Sequence, residues 1–375
     1  MELDLDRLTF QGILDTRHTP KGLRLSRLPA WAQGQIVDPG FTWAAGVPSG
    51  ARLVMVTDST SVTLDVQQLR LTFGERSVAP AAYDIVLDGS LAGVRFSDTG
   101  HIARYTAEDP TRPQFHRGGP DTIVFDGLPS GFKRVEIWLP HNASLEIRAI
   151  TVDDGATVRA PDPSTNRRWV HYGSSISHCT EAERPTGVWP VVAARKTDVD
   201  LMSFGIAGQA QLDQVVARTI RDLDCDLISM KVGINIVNGD TMRERTFIPA
   251  VHGFIDTVRD GHPTTPLLLI SPIICPVAED HPGPTLSRPD GRVYVIDRPT
   301  ELSTGALSLQ RIRELLALVA EQRKDPNLHT MSGLDLFGPS DVDDLPDGLH
   351  PNAAGYQRMG ERFFSAAFAA GGAFA

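Results

Sequence analysis

The sequence predicts an α/β protein in two parts, an N-terminal β-sandwich of jelly-roll type followed by a parallel sheet with helices on both faces. Three observations predict it. Residues 1–160 carry short period-two apolar runs separated by turn clusters, whereas residues 167–375 alternate apolar strands with helical patterns. Between them, Pro161-Asp162-Pro163-Ser164-Thr165-Asn166 has the composition of an exposed linker. A chain of 375 residues also exceeds the usual single domain. The expected division is therefore 1–160, a linker at 161–166, and 167–375.

In the first part, Val62, Leu64 and Val66 alternate with polar neighbours, and the apolar phase then shifts at Gln67-Gln68 to resume at Leu69, Leu71 and Phe73. This predicts a strand broken by a bulge. Further runs lie at Tyr83 to Leu87, at Val135-Ile137-Leu139 and at Leu145-Ile147-Ala149. Turn clusters such as Asp88-Gly89-Ser90 and Asp126-Gly127-Leu128-Pro129 punctuate them. Short strands spaced in this way favour a sandwich.

In the second part, strands are predicted at Trp169 to Tyr172, Val199 to Phe204, Leu227 to Val232, Leu267 to Ile270 and Leu328 to Met331. Phe247, Val251, Phe254, Ile255 and Val258 recur at helical spacing, as do Leu309, Ile312, Leu315, Leu316 and Val319. Ala353 to Phe368 reads as a last helix. Repeated β-α units imply a parallel sheet whose sites gather at the carboxyl ends of the strands. The segment Pro272 to Thr304, with six prolines and no periodicity, reads as a structureless excursion that can serve as wall or lid of a site.

Composition excludes several function classes. A formal charge of -10 argues against a polyanion-binding surface, so nucleic acid is not an expected partner. No apolar run approaches the length of a membrane span, and Met1 to Asp6 has neither the basic flank nor the apolar stretch of a signal peptide. This reads as a soluble, cytoplasmic chain with no membrane partner. Oligomeric state is not legible. Cys179, Cys225 and Cys275 match neither a disulfide framework nor a zinc signature and read as buried thiols, with Cys179 a candidate wall of the site. Eleven histidines are scattered without metal-ligand spacing, so no metal or organic cofactor is expected.

The chemistry concentrates in four short blocks. Tyr172-Gly173-Ser174-Ser175-Ile176-Ser177 places small hydroxyl residues where an apolar strand stops. Gly205-Ile206-Ala207-Gly208-Gln209 and Val232-Gly233-Ile234-Asn235 follow the next two strands, and Asp347-Gly348-Leu349-His350-Pro351-Asn352 stands near the C-terminus. Taken singly, each reads as turn, cap or loop chemistry. Taken in order, they offer a serine, oxyanion donors, and a histidine with a carboxylate three residues before it, which is what a serine nucleophile needs.

In this order the blocks resemble the SGNH (GDSL-like) hydrolase family over about 209 residues, Arg167 to Ala375. The resemblance implies a flavodoxin-like three-layer catalytic domain with Ser175 as nucleophile and His350 and Asp347 as base and acid. It also implies an oxyanion hole built from Ser175, Gly208 and Asn235. Two positions depart from the family pattern: Ser174 and Ile236 stand where aspartates are usual, and Ser174 leaves two adjacent serines to tell apart. The β-rich half in front is similar to the arrangement of two-domain carbohydrate esterases. The implied activity is hydrolysis of short-chain acyl esters, acetyl first, on a small-molecule substrate such as an acylated sugar or glycosylated metabolite. An acyltransferase or thioesterase using the same residues, and a non-catalytic carbohydrate-binding protein, are the alternatives.

Overall fold

A computed structural model describes residues 1–106, 109, 112–197 and 199–375. Among these residues the N-terminal half contains two sheets. One runs Thr9–Gln11, Arg52–Thr57, Lys133–Trp138, Ala81–Leu87 and Ser90–Ser97, with Val158–Arg159 on its side. The other runs Asp15–Thr19, Gly22–Ser26, Ala143–Val152, Val62–Phe73, His101–Tyr105 and Gln114–His116, with Asp121–Phe125 beside Val62–Phe73. Leu53, Met55, Tyr83, Ile85, Val135 and Ile137 from the first meet Leu64, Val66, Leu145, Ile147 and Ile150 from the second in one apolar cluster. Each sheet hides its apolar face against the other.

The phase shift at Gln67-Gln68 has another cause than the expected bulge. Val62–Phe73 is one unbroken strand, buried at every second residue as far as Thr72. Beyond Val66 the buried face turns polar: Gln68, Arg70 and Thr72 occupy it. Gln68 Nε2 donates to Ser97 Oγ at 2.5 Å, Arg70 to the Ala79 and Thr99 carbonyls, and Thr72 Oγ1 to the Arg76 carbonyl. The bulge lies one strand away, where Ala143–Val152 slips between Ile147 and Ala149 and leaves Arg148 without a partner residue.

In the C-terminal half, β1 (Arg168–Gly173), β2 (Asp200–Gly205), β3 (Leu227–Lys231), β4 (Leu267–Ile270) and β5 (Leu328–Met331) form one parallel sheet in the order β2-β1-β3-β4-β5. That order reverses direction at β1, a topological switch point, and ligands of open α/β sheets bind there, at the carboxyl ends of the strands. Helix Glu244–Gly261 buries Phe247, Val251, Phe254, Ile255 and Val258, and helix Leu309–Arg323 buries Leu309, Ile312, Leu315, Leu316 and Val319, as their spacing predicts.

The two halves are packed together. Leu28, Phe41, Ala44, Ala45 and Trp138 belong to the same apolar cluster as the parallel sheet. Fully buried Arg27 donates to the carbonyls of Ala44, Ser203 and Gly205, fastening the N-terminal half to the carboxyl end of β2. Ser49 Oγ donates to the His178 carbonyl at 2.7 Å, and the His141 and Ala182 segments exchange bonds through His141 Nε2 and His178 Nε2. These contacts brace the chain that follows β1.

The stretch Pro272–Thr304 is more ordered than expected. Thr285–Ser287 and Val293–Val295 pair as an antiparallel hairpin, and short 3₁₀ turns flank it. Several of its charges serve structure: Glu279 pairs with Arg313, Arg298 with Asp240, and Asp297 with His281. Proline spacing conceals such a hairpin, because its three-residue strands are too short to show a period.

Candidate active site

β1 ends at Gly173, and Ser174 then caps a four-residue helix, Ser175–His178. This turn is tight for steric reasons. A Cβ on Gly173 would stand 2.3 Å from Ser177 Oγ, and one on Gly205, at the end of β2, would stand 2.4 Å from the His178 nitrogen. Glycine at both strand ends lets the short helix settle onto the sheet. The two serines part company here. Ser174 is fully buried and its Oγ accepts from the Ile176 N–H, whereas Ser175 is 8% exposed and its Oγ lies 2.9 Å from His350 Nε2.

Asp347 and His350 sit on one turn before the last helix, Ala353–Ala367, which Asn352 caps by accepting from the Gly355 N–H. Gly348 takes φ +83° between them, a left-handed conformation that favours glycine. Asp347 Oδ1 accepts the N–H groups of Leu349 and His350 at 2.9 and 2.7 Å, and Oδ2 faces His350 Nδ1 at 2.8 Å. An ionised carboxylate can only accept, so Nδ1 carries the imidazole proton and Nε2 is left with a lone pair toward Ser175 Oγ. Burial alone would lower the His350 pKa; the carboxylates of Glu181 and Asp347 outweigh it and hold the imidazole above its ordinary value, with Arg76 opposing. Burial likewise raises the Asp347 carboxyl, but the hydrogen bond and charge of His350 and the two backbone donors bring it down to about 2.

Gly208 and Asn235 follow β2 and β3. Gly208 is the exposed residue of the turn Ile206 to Ala210 and takes φ +73°, and nothing stands within 4 Å of where a Cβ would be. Asn235 is buried in helix Ile234–Gly239, entered through Gly233 at φ +121°. Its Oδ1 accepts the Ala210 N–H at 3.0 Å, which ties it to the Gly208 turn. Because that N–H can only donate, the amide is oriented with Nδ2 turned away from Ala210. Ile236 is fully buried in the core.

Two neighbours of His350 and Asp347 escaped the sequence reading. Glu181 Oε1 lies 3.9 Å from His350 Nδ1, and Glu181 Oε2 accepts from the Tyr356 hydroxyl at 3.0 Å. Arg76, from the N-terminal half, lies 3.6 Å from Asp347 Oδ2 and donates to the Gly291 carbonyl. The hairpin of Pro272–Thr304 adjoins the same turn, since the Val293 N–H donates to the Asp347 carbonyl at 2.8 Å. Cys179 is fully buried and lines nothing open; burial raises its thiol well above the ordinary value and pushes Cys225 and Cys275 up to about 12. Among the described residues no group of three or more His, Cys, Asp or Glu side chains could hold a metal ion, and no helix is long and apolar enough to cross a membrane.

Comparison with known proteins follows the same lines. Residues 166–275 match the GDSL-like Lipase/Acylhydrolase family. A salicylyl-acyltransferase from a tetracycline biosynthetic pathway shares 27% identity and a TM-score of 0.77, over 95% of this chain and 92% of that one. A putative GDSL-like lipase from Bacteroides ovatus shares the fold at 19% identity and a TM-score of 0.69, covering 97% of this chain and 95% of that one. An active-site mutant of a family two carbohydrate esterase from Clostridium thermocellum does so at 14% identity and a TM-score of 0.60, covering 96% of each chain. No curated protein matches. The matched stretch 166–275 holds the first three of the four blocks at the strand ends, and over it the chain resembles the GDSL-like lipases and acylhydrolases.

Proposed function

We propose that the chain is a serine esterase that removes short acyl groups, acetyl first, from a carbohydrate or glycosylated metabolite. In this reading residues 1–160 are a jelly-roll-like β-sandwich domain, 161–166 the linker, and 167–375 a flavodoxin-like three-layer catalytic domain. One observation carries the chemistry: the unbroken line from Ser175 Oγ through His350 to Asp347, at 2.9 and 2.8 Å. His350 Nε2 takes the Ser175 proton as the oxygen attacks the ester carbonyl, and Asp347 holds the imidazole in the tautomer this needs. The N–H groups of Ser175 and Gly208 and the Nδ2 of Asn235 meet the developing oxyanion. His350 then protonates the leaving alcohol and activates water, which releases the acid. Incubation with a fluorophosphonate tests the reading directly, since a working triad is labelled covalently and an inert scaffold is not.

Asn235→Ala is expected to lower kcat by about 10²- to 10³-fold with little change in KM, the scale of losing one oxyanion donor. A loss confined to KM in steady-state kinetics would move Asn235 to substrate binding.

The short-acyl preference rests on the polarity of the neighbourhood. Arg76 and Glu181 flank the His350 and Asp347 pair, and an acyl tail laid against them would cost desolvation that a sugar hydroxyl repays with hydrogen bonds. A long-chain enzyme needs an apolar groove, gaining about 0.8 kcal/mol per buried methylene. Across p-nitrophenyl esters of two to twelve carbons, kcat/KM is expected to be highest for acetyl and propionyl. Efficiency that climbs steadily with chain length would favour a lipase.

The similarity to a salicylyl-acyltransferase supports a second reading, transfer of the acyl group to another alcohol or release from a thiol by the same residues. Product analysis with and without an added alcohol acceptor separates hydrolysis from transfer.

A further inference from the structure

A large cleft lies away from Ser175, on the N-terminal sheet that contains Ala143–Val152 and Val62–Phe73. It encloses about 1110 Å³ and contains none of the residues of the Ser175, His350 and Asp347 line. Its wall is electropositive although the whole chain carries a formal charge of -10. Lys21, Arg117 and Arg148 converge on His101, and burial together with Arg117, Arg148 and Lys21 lowers the His101 pKa against the opposing Glu146. Glu146 is already engaged by Arg24 at 3.1 Å. Among the described residues, Lys21, Arg117 and Arg148 form no ion pair, and Arg148 Nε is buried without an acceptor.

The wall is held in place before any ligand arrives. Arg148 is the bulged residue between Ile147 and Ala149, and a bulge aims a side chain where regular pairing would not. The loop carrying Arg117 is pinned by Gln67 Nε2, which donates to the carbonyls of Gly118 and Gly119, and it packs so closely that a Cβ on Gly118 would stand 2.0 Å from the Gly100 carbonyl oxygen. The Gly118 N–H donates to His101 Nδ1 at 3.2 Å, so the neutral imidazole keeps its proton on Nε2 as a further donor. Phe115, about half exposed, stands with its ring centroid 5.2 Å from that of His101 and offers an apolar face at the mouth.

We propose that this cleft is a second binding site, for a ring-sized polyol bearing a carboxylate or phosphate, with Lys21, His101, Arg117 and Arg148 taking the anion and Phe115 the ring. An unpaired guanidinium beside other cations is costly unless an anion answers it, and paired arginines suit planar and tetrahedral oxyanions alike. A cleft of this size holds more than a lone inorganic ion. The site is independent of the acyl-transfer chemistry proposed for Ser175.

Isothermal titration of the full chain with glucuronate, glucose 6-phosphate and glucose tests it. At least one of the two acidic sugars is expected to bind about tenfold or more tightly than glucose, with affinity falling as salt rises. Which acidic sugar binds better identifies carboxylate or phosphate as the recognised group. The Arg117→Ala/Arg148→Ala double variant is expected to lose about tenfold or more in that affinity. An unchanged thermal unfolding curve establishes that its fold is intact; should it unfold, Arg117→Gln at an exposed position carries the same comparison. Equal binding of glucose, binding indifferent to the substitutions, or no binding of either acidic sugar would overturn the proposal.

Discussion

Ser175→Ala is expected to lower kcat by about 10⁶-fold, the scale seen when the nucleophile of a serine triad is removed, and to abolish covalent labelling by a fluorophosphonate. The reason is local. Ser175 Oγ is the hydroxyl that His350 Nε2 reaches, and no other group at the end of β1 is placed to inherit the proton transfer. Ser174→Ala supplies the contrast. That side chain caps the short helix through the Ile176 N–H, so its loss costs about 1 kcal/mol of local stability and leaves substantial turnover. Intact-protein mass spectrometry after probe treatment, read beside ester turnover, separates the two. Labelling that survives in Ser175→Ala and vanishes in Ser174→Ala would exchange their roles.

Much of this site was legible because each block sits where a strand must end. Gly173, Gly208 and Asn235 follow the apolar runs of β1, β2 and β3, and runs of that kind are read from composition and spacing. The five helical positions from Phe247 to Val258 fall on one buried stripe because helix Glu244–Gly261 packs a single face. Contacts between distant segments were illegible. Arg76 reaches Asp347 across the boundary of the two halves, held by Thr72 and Arg104 bonding to its carbonyl, and nothing in its neighbourhood of Gly74-Glu75-Arg76 signals that reach. Glu181 is six residues past Ser175, yet its place beside His350 depends on the brace from His141 and Ser49. The misplaced bulge has a similar origin. Alternation reports which face is buried only while that face is apolar, and Gln68, Arg70 and Thr72 are buried polar residues satisfied by loops that the strand itself does not reveal.

Asp347→Asn is expected to lower kcat/KM by about 10⁴-fold, as for an asparagine that imposes the wrong histidine tautomer. The local hydrogen bonds make the argument sharper than analogy. Two backbone N–H groups, from Leu349 and His350, point at Asp347 Oδ1, so an asparagine there must present its own oxygen to them and its NH₂ to His350 Nδ1. Nδ1 would then have to accept, moving the imidazole proton to Nε2 and removing the lone pair that Ser175 needs. In the unsubstituted protein, kcat/KM should rise with pH as His350 loses its proton. That limb should lie above the ordinary histidine value, because Glu181 and Asp347 hold the imidazolium against its burial. Removing either carboxylate takes away a charge that favours the protonated form, so the limb should move to lower pH in Glu181→Gln as well as in Asp347→Asn. The two differ at the plateau. Glu181 lies 3.9 Å from Nδ1 and fixes no tautomer, so Glu181→Gln should keep most of the parent rate once His350 is neutral, whereas Asp347→Asn should stay low. A pH profile of kcat/KM for the three proteins decides it. A limb unmoved in Glu181→Gln would leave Asp347 alone responsible for the raised pKa, and a mild loss in Asp347→Asn would mean that Glu181 or the backbone can orient His350 in its place.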